Sequence, residues 1–254
     1  MRKPLIAGNW KMNLLSSKVP EYFKKLEDVT ASVDKSKVEM LLAVPALFAA
    51  SARELAGRTG VHVATQTIHE KADGAFTGEL SIPMIKDLGL NWTLIGHSER
   101  RQYYNETDAS VALKTKACLE SGIHAIVCVG ETRAEREGGQ MESVLSRQMK
   151  SILDVCSADS VLTIAYEPVW AIGTGLTASD AQAEEAHAFI RKTIKDRFAD
   201  LAEKTRILYG GSVKSSNIQG LLGQKNVDGA LIGGASLDPA EFGKTVSLAA
   251  AVSH

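Results

Sequence analysis

The stretch PLIAGNWK, Pro4 to Lys11, decides between two folds for this chain. An apolar run typical of a buried strand ends here in Gly-Asn-Trp-Lys. An open, doubly wound α/β sheet usually carries a glycine-rich dinucleotide-binding turn after its first strand, and this sequence has no such turn there. The stretch therefore favours an eight-fold parallel β/α barrel, with the doubly wound sheet as the alternative.

Seven further apolar, strand-forming runs follow the first along the chain. The eight runs begin near Pro4, Val38, Val61, Trp92, His124, Leu162, Arg206 and Gly229. Near-continuous apolar runs, as opposed to alternating ones, are typical of strands that are covered on both faces, as in a parallel sheet. Since no linker rich in Pro, Gly or Ser interrupts the series, we expect one β/α barrel domain over residues 1–254.

Helical patterns separate the apolar runs. The clearest extends from Asp180 to Glu203, and Ser179 with Gln182 forms a capping box at its start. Its apolar stripe consists of Ala183, Ala186, His187, Ile190, Ile194, Phe198 and Leu201. A second helix is predicted from Asp108 to Glu120, with Gly122 positioned to end it.

Composition restricts the kinds of partner that the chain could have. The sequence has 254 residues, 44% of them hydrophobic, and a formal charge of −1, so it has no bulk charge that favours nucleic acid. The three cysteines form no CxxC pair and cannot all pair with one another. The apolar run at the N-terminus is too short for a signal peptide, and no run approaches ~20 apolar residues. We expect a cytoplasmic protein that binds neither membrane nor nucleic acid.

Polar residues and glycines follow the predicted strands, at the rim where barrels build their active sites. In chain order they are Asn9, Lys11, Gln66, His97, Glu99, Glu131, Glu167, Gly210, Gly211, Ser212, Gly233 and Gly234. The carboxylate Glu167 ends an apolar run and precedes a loop of small residues, within IAYEPVWAIGTGLTAS, Ile164 to Ser179. The set includes one cation, one imidazole and one unmatched carboxylate after the sixth strand, which is the composition of an acid–base site.

Two diglycines, in YGGS and IGGAS, follow the seventh and eighth runs. Successive glycines let backbone N–H groups approach an anion, and barrels often bind phosphate after these two strands. The alternative is that both are only tight turns. Similarly, Lys11 could be an ordinary surface lysine and His97 a core histidine. No second histidine follows another strand, so a metal site is disfavoured.

Seven motifs in chain order carry a resemblance to a known family: GNWKMN, GAFTGE, IGHSERR, CVGET, AYEPVWAIGTG, YGGSV and IGGASL. The chain resembles the triosephosphate isomerases over essentially its full length, which implies the TIM barrel fold. The resemblance implies that Asn9 and Lys11 contact the substrate, that His97 polarises its carbonyl and that Glu167 moves the proton. Glu99 would lie beside the site as support.

The same resemblance implies a reaction and a substrate. Dihydroxyacetone phosphate and D-glyceraldehyde 3-phosphate would interconvert through a cis-enediolate, in glycolysis and gluconeogenesis, without a cofactor. The phosphate would be held at Gly173, Ser212, Gly233 and Gly234, and the glycine-rich segment after Glu167 would close over the intermediate.

A homodimer is also expected, held largely by the loop from Gln66 to Glu79. The loop is long for a barrel and lacks an apolar helical stripe. Its tip, GAFTG, would expose Phe76 in a lone chain, and the resemblance puts Thr77 in a pocket of the partner close to the catalytic lysine, here Lys11.

The sequence departs from the usual family pattern at two positions. Leu176 stands where the family often has lysine, and Thr67 stands where many members have asparagine. Two other kinds of function remain open from the residues alone. A Schiff-base aldolase would use Lys11 as its amine, and a non-catalytic phosphate-binding protein would need the diglycines but neither Glu167 nor His97.

Overall fold

The computed structural model describes residues 2–171 and 178–252. In these residues the chain forms eight strands, each beginning within one residue of a predicted run. They are β1 (Leu5–Asn9), β2 (Glu39–Ala43), β3 (His62–Thr65), β4 (Trp92–Ile95), β5 (His124–Val129), β6 (Thr163–Tyr166), β7 (Arg206–Tyr209) and β8 (Gly229–Ile232).

The eight strands close into a parallel barrel in sequence order. Closure depends on the pairing of β1 with β8, in which Leu5 lies opposite Gly229 and Gly8 opposite Ile232. An open, doubly wound sheet would leave these two strands unpaired. The expected eight-fold β/α barrel is therefore confirmed, and the alternative sheet is excluded.

Two apolar layers explain why the strands are apolar along their whole length. Alternate strand residues such as Leu5, Ala7 and Leu41 fill the inside of the barrel. The residues between them, such as Ile6 and Leu42, point outward into a second core beneath the helices. Because both faces of each strand are covered, no position in the middle of a strand faces water.

Eleven α-helices surround the barrel within the described residues. They are α1 (Val19–Thr30), α2 (Ala49–Thr59), α3 (Ile82–Asp87), α4 (Ser98–Tyr103), α5 (Asp108–Ser121), α6 (Arg133–Glu137), α7 (Met141–Leu153), α8 (Asp180–Arg197), α9 (Ala199–Lys204), α10 (Ile218–Leu222) and α11 (Pro239–Ala250). Short 3-10 turns occupy Ser16–Lys18, Ala46–Phe48, Val169–Ala171 and Gly234–Leu237. None of the helices in residues 2–171 and 178–252 combines the length and the apolar character needed to cross a membrane.

Helix ends follow the predicted signals, with one exception. Helix α5 ends at Gly122, whose φ of 68° is the left-handed conformation that glycine adopts readily. Ser179 and Gln182 form the expected capping box of α8. The single helix predicted from Asp180 to Glu203 is wrong, because the backbone of Phe198 is extended and separates α8 from α9. The apolar stripe passes through the break, so the pattern carried no sign of it.

Candidate active site

The predicted site residues meet in a cavity of about 450 Å³ at the carboxyl ends of the strands. Its lining includes Asn9, Lys11, His97, Glu167, Gly210, Gly211, Ser212, Gly233 and Gly234. Glu99 is outside this lining but contacts Lys11. Gly173 and Leu176 lie outside the described residues. Most strand-end positions predicted from sequence thus line one cavity, whereas Gln66 and Glu131 are outside its lining, and Glu131 accepts from Tyr166 and Trp170.

Glu167 is buried at the point where three strands end. Its backbone N–H donates to the Val129 carbonyl at 2.7 Å, and the Gly210 N–H donates to the Tyr166 carbonyl at 2.7 Å. A Cβ at Gly210 would lie 2.9 Å from Glu167 Cγ. The first diglycine therefore has a role that its sequence did not reveal, because it makes room for the side chain of Glu167.

The carboxylate of Glu167 is held by two donors. Oε1 lies 3.0 Å from His97 Nε2, and Oε2 accepts the backbone N–H of Ser98 at 2.8 Å. Burial alone would raise the pKa of Glu167, but these two contacts hold the pKa below its usual value. The carboxylate is thus ionised at rest, and its basicity is suppressed by the residues that hold it.

His97 sits directly before helix α4, and its two ring nitrogens have different partners. Nδ1 accepts the backbone N–H of Glu99 at 3.3 Å, whereas Nε2 faces Glu167. This geometry fits a neutral ring that carries its hydrogen on Nε2. Burial lowers the pKa of His97, and the Glu167 carboxylate outweighs that effect and raises it. Movement of Glu167 away from the ring would remove the cause of the rise and favour neutral imidazole.

Lys11 is the cation of the site. Its Nζ donates to Glu99 Oε1 at 2.5 Å, and its backbone has a φ of 52°, which is uncommon for a residue with a side chain. Asn9 Oδ1 accepts the Lys11 N–H at 2.9 Å, and Gln66 Nε2 donates to the Lys11 carbonyl at 2.8 Å. Asn9 and Gln66 together stabilise the unusual backbone that directs the ammonium group into the cavity.

The second diglycine and Ser212 form a further part of the cavity wall. Gly233 lies beside Lys11, since a Cβ at this glycine would be 3.4 Å from Lys11 Cε. Ser212 Oγ donates to the Ala171 carbonyl at 3.1 Å and so contacts the end of the 3-10 turn that follows β6. This wall combines glycine backbone, a hydroxyl and a nearby ammonium group, which suits an anion.

Three further observations concern residues around the cavity. Ser98 was missed by the sequence analysis, since its contact to Glu167 is a backbone N–H and leaves no side-chain pattern.

Thr67, which stands where many family members have asparagine, contacts a buried ion pair. Its Oγ1 accepts from Lys114 Nζ at 3.2 Å, and Lys114 is paired with Glu106. A second cavity, of about 600 Å³, opens behind Ser98 and also reaches Glu167.

Metal chemistry has no evident ligand set in the part of the chain that the structure describes. Within residues 2–171 and 178–252, no three His, Cys, Asp or Glu side chains are grouped so that they could hold a metal ion. The polar groups of the cavity are instead suited to proton transfer and to binding an anion.

Comparisons with known proteins agree with the geometry. A family model described as triosephosphate isomerase matches residues 4–249. The triosephosphate isomerase of Lactiplantibacillus plantarum is 46% identical over 245 residues, covering 95% of this chain and 96% of that protein. That of Pelodictyon phaeoclathratiforme is 47% identical over 252 residues, covering 98% and 99%. The chain therefore belongs to the triosephosphate isomerase family.

Proposed function

We propose that the chain catalyses the interconversion of dihydroxyacetone phosphate and D-glyceraldehyde 3-phosphate, a step of glycolysis and gluconeogenesis. One observation carries the proposal. A buried carboxylate, Glu167, lies 3.0 Å from an imidazole nitrogen of His97, in a cavity that also holds the ammonium group of Lys11. A carbon acid beside a carbonyl needs both a base and stabilisation of the oxyanion that forms, and these three groups supply them.

The base would be Glu167. In the structure its two oxygens are occupied by His97 and Ser98, so it must leave both to reach a substrate carbon. Loss of these contacts removes what lowers its pKa, and burial then raises its basicity. The same movement would convert a resting carboxylate into an active base in contact with the carbon acid.

The oxyanion would be stabilised by His97, Lys11 and Asn9. An Nε2–H of His97, freed from Glu167, can donate to the developing oxygen, and the Lys11 ammonium adds a positive charge that is fixed by the surrounding backbone. Glu99 would act on Lys11, which it contacts at 2.5 Å, and not on the substrate. Solvent exclusion would fall to the segment after Ala171, which includes Gly173.

The phosphate would bind at Ser212, Gly233 and Gly234, with Gly173 as a further donor that the family resemblance suggests. Glycines expose N–H groups without a Cβ, and the nearby ammonium group of Lys11 adds attraction for a dianion. Neither a metal nor an organic cofactor is needed by this mechanism, because both proton transfers use protein carboxylate and imidazole groups.

We also propose that the functional unit is a homodimer of single-domain chains in the cytoplasm. Apolar side chains follow three consecutive strands on one side of the rim, where Met12, Leu47 and Phe76 are 95%, 86% and 43% exposed. All residues from 71 to 78 in the Gln66–Glu79 loop are exposed as well. A second copy would cover this surface, and the three unpaired thiols suit a reducing compartment.

A coupled isomerase assay on the purified chain tests the function. We expect turnover of D-glyceraldehyde 3-phosphate to dihydroxyacetone phosphate without added metal or cofactor, including in the presence of a chelator. A borohydride-trapped substrate adduct on Lys11 would instead indicate a Schiff-base enzyme. Phosphate binding without turnover would indicate a non-catalytic protein.

A further inference from the structure

We propose that Tyr22, on helix α1, is a positioning residue that holds the phosphate-binding turn after β8 in place. The inference rests on the proposed function, because it concerns the same anion site. Tyr22 lies outside the cavity lining. It would act through the backbone of Ser236.

The contact that carries the inference joins residues 214 positions apart. The Tyr22 hydroxyl donates to the Ser236 carbonyl at 2.6 Å, and both residues are buried. A tyrosine hydroxyl is protonated at neutral pH and can donate, and burial raises the pKa of Tyr22 further. Removal of the hydroxyl would leave a buried carbonyl without this donor, which is a costly state for a backbone group.

Ser236 in turn fixes the glycines of the anion site. Its N–H donates to the Gly233 carbonyl at 2.8 Å, and its Oγ donates to the same carbonyl at 2.7 Å. Its Cβ packs on β1, where a Cβ added at Gly8 would lie 2.8 Å away. The turn Gly234–Leu237 is therefore anchored at its outer end by Tyr22 and at its inner end by Gly233.

Tyr22 also contacts the loop that carries the catalytic cation. Its ring meets Trp10 edge to face, with 4.8 Å between the ring centroids, and Trp10 is the residue between Asn9 and Lys11. One side chain thus contacts both the Lys11 loop and the glycine turn. Tyr22→Phe keeps the ring packing against Trp10 and removes the hydroxyl, which donates to Ser236 and also interacts with the Trp10 side chain.

Steady-state kinetics and calorimetric titration with inorganic phosphate on Tyr22→Phe test the inference. We expect KM for D-glyceraldehyde 3-phosphate and the phosphate Kd to rise together, each about fivefold, as for loss of one buried hydrogen bond. The kcat should change less than twofold, and turnover of unphosphorylated D-glyceraldehyde should be unchanged. This pattern distinguishes a specific loss of phosphate affinity from a general loss of structure.

Thr30→Val is the matched control, since it removes a buried hydroxyl from the same helix. Among the described residues this hydroxyl bonds only to the Leu26 carbonyl of that helix. It should change none of these quantities. An unchanged phosphate Kd in Tyr22→Phe, or equal losses on the phosphorylated and unphosphorylated substrates, would overturn the inference. Because phosphate titration needs no turnover, a wild-type protein without isomerase activity would contradict the proposed function and still leave this inference tested.

Discussion

At the residue scale, the site is defined by what holds each functional group before substrate arrives. Glu167 is held by His97 and Ser98, and Lys11 is held by Glu99. The contacts of Glu167 satisfy a charge that burial would otherwise penalise, whereas the pair of Lys11 and Glu99 is only partly buried. In the proposed mechanism the substrate replaces the contacts of Glu167, so that a carboxylate ionised at rest becomes a strong base.

Lys11→Met should raise KM and lower kcat together, because the ammonium group faces both the expected phosphate and the developing oxyanion. Loss of a charge-assisted contact corresponds to roughly tenfold or more in each. Steady-state kinetics and titration with a phosphorylated substrate analogue measure the effect, with Lys18→Met as the control, since Lys18 is an exposed lysine paired with Glu21. Unchanged affinity in Lys11→Met would make Lys11 an ordinary surface lysine.

The candidate site residues could be predicted from sequence to the extent that they lie at or just after the carboxyl ends of strands. Asn9, Lys11, His97 and Glu167 do so, and parallel strands bring their carboxyl ends to one rim. Ser98 and Tyr22 could not be found this way, because one acts through its backbone and the other lies 214 positions from its partner. Such contacts depend on how elements pack and leave no local pattern.

At the element scale, helix α8 packs against strands β6 and β7, beside Glu167. Its His187 is fully buried against Tyr166 of β6 and Tyr209 of β7, with ring centroids 5.8 and 6.3 Å away. Burial lowers the pKa of His187 to about 3. The imidazole is therefore an uncharged part of the packing between helix and barrel at neutral pH.

This burial predicts a pH dependence of stability. Below pH ~6.5 the unfolded chain protonates His187, whereas the folded chain resists protonation down to about pH 3. Stability from this group is thus present above pH ~6.5 and falls as the pH falls between these values. His187→Gln should make the slope of unfolding free energy against pH shallower by at most about 1.4 kcal/mol per unit. Urea titrations of the wild type and His187→Gln from pH 4.5 to 7.5, at one protein concentration, measure both slopes. Equal slopes would contradict this prediction.

Strands and helices could be predicted where their apolar pattern is unambiguous. The start of each strand could be predicted to within one residue, since both faces of the strands are buried. The break at Phe198 could not, because the residues on either side continue one apolar stripe. Gly210 shows a further limit: its sequence suggested an anion site, whereas its neighbour in space is Glu167 Cγ.

At the scale of the whole molecule, the barrel leaves one side of its rim apolar. Met12, Leu47 and Phe76 follow β1, β2 and β3, which are adjacent in the closed sheet. The ring of Phe76 packs on His69, with 4.0 Å between the ring centroids. Because the three strands are neighbours, the three exposed side chains lie on the same side of the rim as Lys11.

Thr77→Arg should weaken the proposed dimer and reduce activity, because it adds a bulky charge at the exposed tip of this loop. Sedimentation velocity at micromolar concentration, with activity measured over the same dilution series, reports both. Ser32→Arg, in the exposed turn between α1 and β2 at the other end of the barrel, is the control and should remain dimeric. A wild-type chain that is monomeric and fully active at that concentration would contradict the proposal.

The most direct test of the central claim compares kcat of the wild type with that of Glu167→Gln and Glu99→Gln in the coupled isomerase assay. If Glu167 is the base, Glu167→Gln should lose ~10²–10⁴ in kcat while its thermal unfolding remains close to wild type. Glu99→Gln, which keeps a hydrogen-bonding group beside Lys11, should lose far less. A folded Glu167→Gln protein that keeps half of the wild-type kcat would contradict the account.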